Sequence, residues 1–137
     1  MNHFNLYKHQ LDISGRQEMI NITEYVRRDI QNSSIMNGII TVFCPHTTAG
    51  ITINENADND VQRDLIYGYE KIFPTRDSRY RHFEGNSHAH MKSSAMGASQ
   101  TLILEEGKII LGIWQDLYFC EFDGPRKRYF YVKIIEG

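Results

Sequence analysis

His46, Thr47 and Thr48 stand between two apolar runs, Ile39 to Phe43 and Ile51 to Ile53, and Asn54, Glu55 and Asn56 follow the second. An imidazole, hydroxyls, amides and a carboxylate gathered in so short a stretch exceed what a core strand needs. These groups can move protons, orient a reactant or hold a metal, and rigid strand ends pre-organise such groups well. A second stretch, Glu84 to Ser94, carries His88, His90, Lys92, Ser93 and Ser94. The two segments are expected to meet and form the active site. Lys92, Ser93 and Ser94, beside free backbone N–H groups at a helix N-terminus, make a phosphate cradle in this reading. The same serines also suit an ordinary helix surface. His88 and His90 share a face on a strand but splay apart on a helix, so one is a better ligand candidate than both.

The elements that must position these residues follow from period and punctuation. Tyr7, Leu11 and Ile13 fall on one parity and predict a strand over 4–13, closed by Ser14-Gly15. Ile22, Val26, Asp29 and Ile30 recur near helical spacing within 19–30, with Asn21 or Thr23 as cap. Ile39 to Phe43 and Ile51 to Ile53 read as buried strands. Val61, Leu65, Tyr69 and Phe73 then recur every fourth residue, predicting an amphipathic helix capped by Asn56 or Asp58 and stopped by Pro74. Glu55 would precede that helix, where an acid is also simply favourable beside the positive helix end. Residues 75–84 are irregular and carry Arg76, Arg79, Arg81 and His82, as a solvated loop or as a cover over an anionic ligand.

A short helix capped by Asn86 or Ser87 is expected to run to Met96 and end at Gly97 in a left-handed cap. The remainder reads as strands: 101–104 and 108–111 joined as a hairpin, then 114–122 and 129–135. Short connections between them predict antiparallel pairing. The fold class is α+β, an antiparallel sandwich-like sheet with two or three helices, in a single domain over 1–137.

Composition bounds the function. Fifteen basic against 17 acidic residues give a formal charge of −2, which disfavours nonspecific nucleic-acid binding. No apolar run approaches the ~18–20 residues of a membrane helix, and the polar N-terminus is not a signal peptide, so the cytoplasm is the expected compartment and no membrane partner is expected. Cys44 and Cys120 sit in apolar settings and read as buried reduced thiols. His3 and His9 read as surface residues, and Arg126 and Arg128 as exposed strand charges or, alternatively, as phosphate contacts. There is neither a nucleotide-binding glycine loop nor a nucleophile elbow.

Taken together the motifs resemble the YjbQ family of secondary thiamine-phosphate synthases. The carrying residues are His46-Thr47-Thr48 with Thr52 to Asn56, His90-Met91-Lys92-Ser93-Ser94 with Gly97, and the signature of Ser99 to Leu102, Leu104, Gly107, Gly112, Trp114, Gln115 and Leu117. Ile113 departs from the family's usual threonine, and His88 occupies a position commonly Asp or Pro, which weakens any three-histidine site requiring it. The resemblance implies an α+β fold, a homotrimer, and a weak activity joining hydroxymethylpyrimidine diphosphate to thiazole phosphate with release of diphosphate.

Expelling diphosphate builds negative charge that cations and oriented donors must stabilise. In that chemistry His46, Glu55 and His90 are the candidate catalytic residues. Thr47, Thr48, Asn54, Lys92, Ser93 and Ser94 are the candidate substrate contacts, with Trp114 (or Tyr118) stacking on the pyrimidine and Gln115 bonding its edge. A divalent ion is the expected cofactor: Mg²⁺ on oxygen ligands, or Zn²⁺ on His46 and His90. The partner is a small phosphorylated metabolite. Two other readings use the same residues: a metal-dependent hydrolase of a phosphorylated metabolite, and a non-catalytic metabolite-binding trimer.

Overall fold

Alternating apolar residues build two facing sheets, and a computed structural model describes them over residues 4–137. Strand β1 is Leu6–Ile13, β2 is Glu18–Asn21, β3 is Gly38–Phe43 and β4 is Ala49–Glu55. Strands β5 (Ser99–Glu105), β6 (Lys108–Ile109), β7 (Gln115–Glu121) and β8 (Arg126–Glu136) complete them. Helices α1 (Thr23–Ser33), α2 (Asn59–Ile72) and α3 (Ser87–Met96) make the class α+β, as expected. One sheet has the order β1-β8-β3-β5-β6 and the other β2-β7-β4, with antiparallel ladders throughout.

Between the sheets lies the main core, in which Ile40, Val42, Phe130 and Val132 of the larger sheet meet Ile51, Leu117 and Phe119 of the smaller. Ile22, Val26 and Ile30 bring α1 to the same core. Every residue of β7 from Leu117 to Glu121 is buried, because the strand is covered on both faces. Its second face, Tyr118 and Cys120 with the following Phe122, packs on Ala89 and Met96 of α3 and Tyr69 of α2. This outer layer positions the candidate site.

Several expectations are corrected. Met19 and Ile20 lie in β2, and α1 begins only at Thr23, where Asn21 Oδ1 accepts from both the amide (3.0 Å) and the hydroxyl (2.7 Å) of Thr23. Strand β3 buries only alternate residues, leaving Ile39 and Phe43 exposed. Strands β7 and β8 do not pair despite their short connection, which instead crosses between sheets. The β5–β6 hairpin holds, with Glu106 and Gly107 both at positive φ (49° and 78°), as a tight two-residue turn demands.

His9 is not a surface residue. Its Nε2 lies 2.6 Å from Oδ2 of buried Asp29, and its ring packs 5.0 Å from Phe130 between centroids. An acid buried among apolar residues requires such a partner. His3 lies outside the described residues.

Candidate functional site

The five-residue crossing from β3 to β4 carries His46, Thr47 and Thr48, and three separate anchors shape it. Cys44 N–H donates to Ala98 O at 2.7 Å. Thr48 Oγ1 accepts from Arg128 Nη2 at 2.7 Å. His46 Nε2 lies 3.0 Å from the amide nitrogen of Tyr129 and 3.1 Å from its carbonyl oxygen. Tyr129 sits on β8 beyond the end of β3, which last pairs through Phe43 with Tyr131. The imidazole therefore continues the ladder where the strand has left it. In the tautomer whose Nε2 accepts the Tyr129 N–H, Nδ1 carries the proton and is left as a donor. Burial, together with the Arg128 charge, lowers the His46 pKa from its ordinary value, so the ring is neutral near pH 7.

Close backbone approach brings α3 to this loop. A Cβ on Gly50 would lie 2.8 Å from Gly97 O, so only glycine admits the contact. Gly97 O in turn accepts from Ile51 N–H at 3.1 Å. Gly97 ends α3 at φ +100° and ψ 157°, a glycine conformation but not the expected left-handed helical one. The result is a hollow of about 450 Å³ lined by His46, Thr47, His90, Ser93, Ser94, Gly97 and Ala98. The two halves of the expected site thus meet at His46 and His90. Thr47 and Ser94 are exposed to it, whereas Ser93 is buried and donates to Ala49 O at 2.6 Å.

Other expected residues lie elsewhere. His88 and His90 occupy the first turns of α3, but Ser93 and Ser94 lie in its last turn, so the positive helix end is at Ser87 and does not face them. Lys92 does not line the hollow. Its Nζ is wholly buried and bonds Glu70 Oε1 (2.7 Å), His88 Nδ1 (2.9 Å) and Gln17 Oε1 (3.3 Å). A neutral His88 accepts from the ammonium, and burial together with the Lys92 charge lowers its pKa. Burial would raise the Glu70 pKa, but hydrogen bonds from Lys92 and Thr75 bring it down to about 2. Lys92 therefore orients α3 against α2.

Thr48 and Arg128 are likewise structural. Arg128 is buried against Glu121, itself fully buried, at 2.6 and 2.5 Å. Arg126 holds Asp123 at 2.8 Å. Cys44 and Cys120 are both free and buried, with burial pushing the Cys44 thiol up to about 11 and that of Cys120 higher still. Neither is a nucleophile at neutral pH.

Asn54, Glu55, Trp114 and Gln115 form a second patch. Glu55 pairs with Gln115 across the β4–β7 ladder, and Asn56 N–H donates to Trp114 O at 2.8 Å. Gln115 Oε1 accepts from Gly112 N–H at 2.8 Å, while the Trp114 side chain is exposed. Tyr118 is buried and its hydroxyl donates to Glu55 O at 2.8 Å. Seven-residue β4 separates this patch from the His46 loop by roughly 20 Å, at ~3.3 Å per residue. Among the described residues, no three His, Cys, Asp or Glu side chains converge as a metal site. His46, His90 and Glu55 are accordingly not one ligand set within a chain.

His82 had no role of its own in the sequence, only a place in the irregular loop read as solvated or as a cover over an anionic ligand. It lines a second hollow of about 400 Å³ with Tyr80, Arg81, Ser87, His90 and Met91, so His90 forms a wall of both. The signal was present only as one imidazole in an irregular basic loop, which does not say where the loop folds back.

Comparison with known proteins agrees with this architecture. The family model for UPF0047 YjbQ-like proteins matches residues 7–137. The UPF0047 protein YugU of Bacillus subtilis is 52% identical over 126 residues, covering 92% of this chain and 96% of that protein. A UPF0047 protein of Methanocaldococcus jannaschii is 50% identical, covering 95% and 94%. The crystal structure of a YjbQ/UPF0047 protein from Clostridium acetobutylicum superposes with a TM-score of 0.92 at 53% identity, covering 94% of this chain and 99% of that one. A YbjQ-like protein of unknown function from Sulfolobus solfataricus reaches the same TM-score at 29% identity, covering 96% of each. The described residues contain no helix long and apolar enough to cross a membrane. This chain belongs to the YjbQ-like UPF0047 family.

Proposed function

We propose that the chain is a transferase of the secondary thiamine-phosphate synthase type, joining hydroxymethylpyrimidine diphosphate to thiazole phosphate and releasing diphosphate. The carrying observation is the His46 hollow, whose lining offers two imidazoles and the hydroxyls of Thr47 and Ser94 with no carboxylate among them. Such a wall suits a phosphorylated metabolite. When the methylene carbon–oxygen bond breaks, its electron pair goes to the diphosphate, and the lone pair of the thiazole ring nitrogen forms the new carbon–nitrogen bond, leaving that ring positively charged. Thr47, Ser94 and the Nδ1–H of His46 are donors for the charge growing on the diphosphate, and His90 lines the same hollow.

Asn54, Glu55, Trp114 and Gln115 supply the matching groups for a flat heterocycle, but they lie at the far end of β4. A homotrimer resolves the separation by placing one protomer's heterocycle patch against its neighbour's hollow. Exposed apolar side chains support such an assembly: Ile39, Ile103 and Ile135 are adjacent across β3, β5 and β8, and Ile113 flanks Trp114. The test is product formation from the two substrates by wild type and His46→Ala. Thiamine phosphate from wild type, lost in a folded variant, supports the reading; no product from well-folded wild type removes it.

A further inference from the structure

The geometry points to a two-imidazole site for a borderline transition ion, Zn²⁺, Co²⁺ or Ni²⁺, formed by His82 and His90. The histidines at 9, 46 and 88 each have a ring nitrogen committed, to Asp29, Tyr129 and Lys92 respectively. Among the described residues, His82 and His90 have no side-chain hydrogen bond or ion pair, and their rings meet edge to face. Their ring centroids lie 5.2 Å apart with planes at 89°. Two imidazoles bound to one tetrahedral ion, with metal–nitrogen bonds of about 2.0–2.1 Å, have centroids about 5 Å apart. The 5.2 Å centroid spacing of the pair matches that of shared coordination.

The two rings come from separate elements, each held in place. His90 sits in the second turn of α3, and its amide donates to Asn86 O at 3.4 Å. His82 sits in a loop pinned by Tyr80 Oη to Pro74 O (2.8 Å), Tyr80 N–H to Asp77 O (3.0 Å) and Gly85 N–H to His82 O (3.2 Å). The site opens to the hollow that also contains Arg81 and Ser87. A guanidinium there disfavours a cation held by charge alone. That disfavours a Mg²⁺-type site and favours an ion bound through nitrogen donation. Two protein ligands leave the remaining positions to solvent or an anionic ligand, for which Arg81 is a favourable neighbour. The same pair placed edge to face as a plain ring contact is the competing arrangement.

Metal binding is read without turnover, so this proposal stands or falls separately from the transferase reading. Chelator-stripped full chain would be titrated with Co²⁺, following its visible absorption, and with Zn²⁺, following the histidine ring signals by NMR. Stoichiometric binding is expected, with the His82 and His90 rings shifting together. His82→Ala, His90→Ala and His90→Gln should each weaken it by at least the roughly 10–100-fold that loss of an outer-shell partner costs, while His46→Ala retains it. Absence of binding, or binding unchanged in the His82 and His90 variants, overturns the site. Loss in His46→Ala with retention in His82→Ala overturns it in favour of a His46–His90 pair. His82 is exposed, so its variant is expected to fold, and circular dichroism checks this.

Discussion

Lys92 Nζ and Glu70 Oε1 lie 2.7 Å apart, joining the middle of α3 to the last turns of α2, with the lysine wholly buried and the glutamate partly exposed. Helix α2 contains no fully buried residue, so its apolar face alone does not hold it. The ion pair, the stacking of Tyr69 on Phe122 and the Gln62 contact with Tyr118 Oη dock it to the body. Glu70→Gln should cost on the order of 1–3 kcal/mol, since it removes the counter-charge to a buried ammonium while keeping an acceptor oxygen. Lys92→Met, which removes the charge and keeps the volume, should cost less than Lys92→Ala. Urea denaturation of the three variants checks the order.

Arg128 and Glu121 form the more deeply buried pair, and Thr48 shares it. Removing one charge strands the other, so Arg128→Ala is expected to cost roughly 3–5 kcal/mol. Arg128→Met with Glu121→Leu should cost less than the sum of the single variants, as a double-mutant cycle from thermal melts would show. The single variant should also disturb the His46 loop and lower product formation.

Acidification should destabilise the fold in two stages. The folded-state pKa values of His46 and His88 are both lowered, so the unfolded chain binds protons more readily. Stability is then full above the ordinary histidine pKa, ~6.5, and falls as pH drops below it. Glu70, at about 2 in the folded state, adds a second loss as pH falls from the ordinary carboxylate value of ~4.3 towards 2. Denaturant midpoints measured against pH should show both, and Glu70→Gln should remove part of the second while deepening the first, because the Glu70 charge holds the His88 pKa up.

Gly50→Ala should cost about 1–3 kcal/mol, because its Cβ would meet the rigid Gly97 carbonyl rather than a yielding side chain. By widening the α3–β4 contact, it should also reduce activity through the position of His90. Melting temperature and steady-state rates check the two effects separately.

A shared site predicts complementation. His46→Ala and Glu55→Ala homo-oligomers should each be inactive, and mixed oligomers formed by co-refolding should regain part of the activity. Ile39→Glu and Ile103→Glu, on the exposed sheet face, should lower the assembled mass by light scattering. Activity retained in such a monomer would remove the shared-site reading.

Much of the scaffold follows from the sequence because period and punctuation are local. The four-residue recurrence of Val61, Leu65, Tyr69 and Phe73 marks α2, and Glu106-Gly107 marks the β5–β6 turn. The family resemblance, carried by side chains at fixed spacing, likewise needed no coordinates. What only tertiary structure decided is which elements meet. Periodicity assigns a face to β3 and β4 but not a sheet, and the five residues between them cross from one sheet to the other. The extended length of β4 puts His46 at one end and Glu55 at the other, splitting a cluster that is compact in sequence. Burial was also a tertiary outcome for Lys92, Arg128 and His9, whose charges or ring nitrogens are satisfied by residues remote in sequence, Glu70, Glu121 and Asp29 among them, or close only after folding. His9, read from sequence as a surface residue, in fact shares the inward parity of β1, and Asp29 falls on the apolar face of α1. The facing of His82 and His90 depends on how a loop without a repeating pattern folds back, and local sequence rules carry no information about that closure.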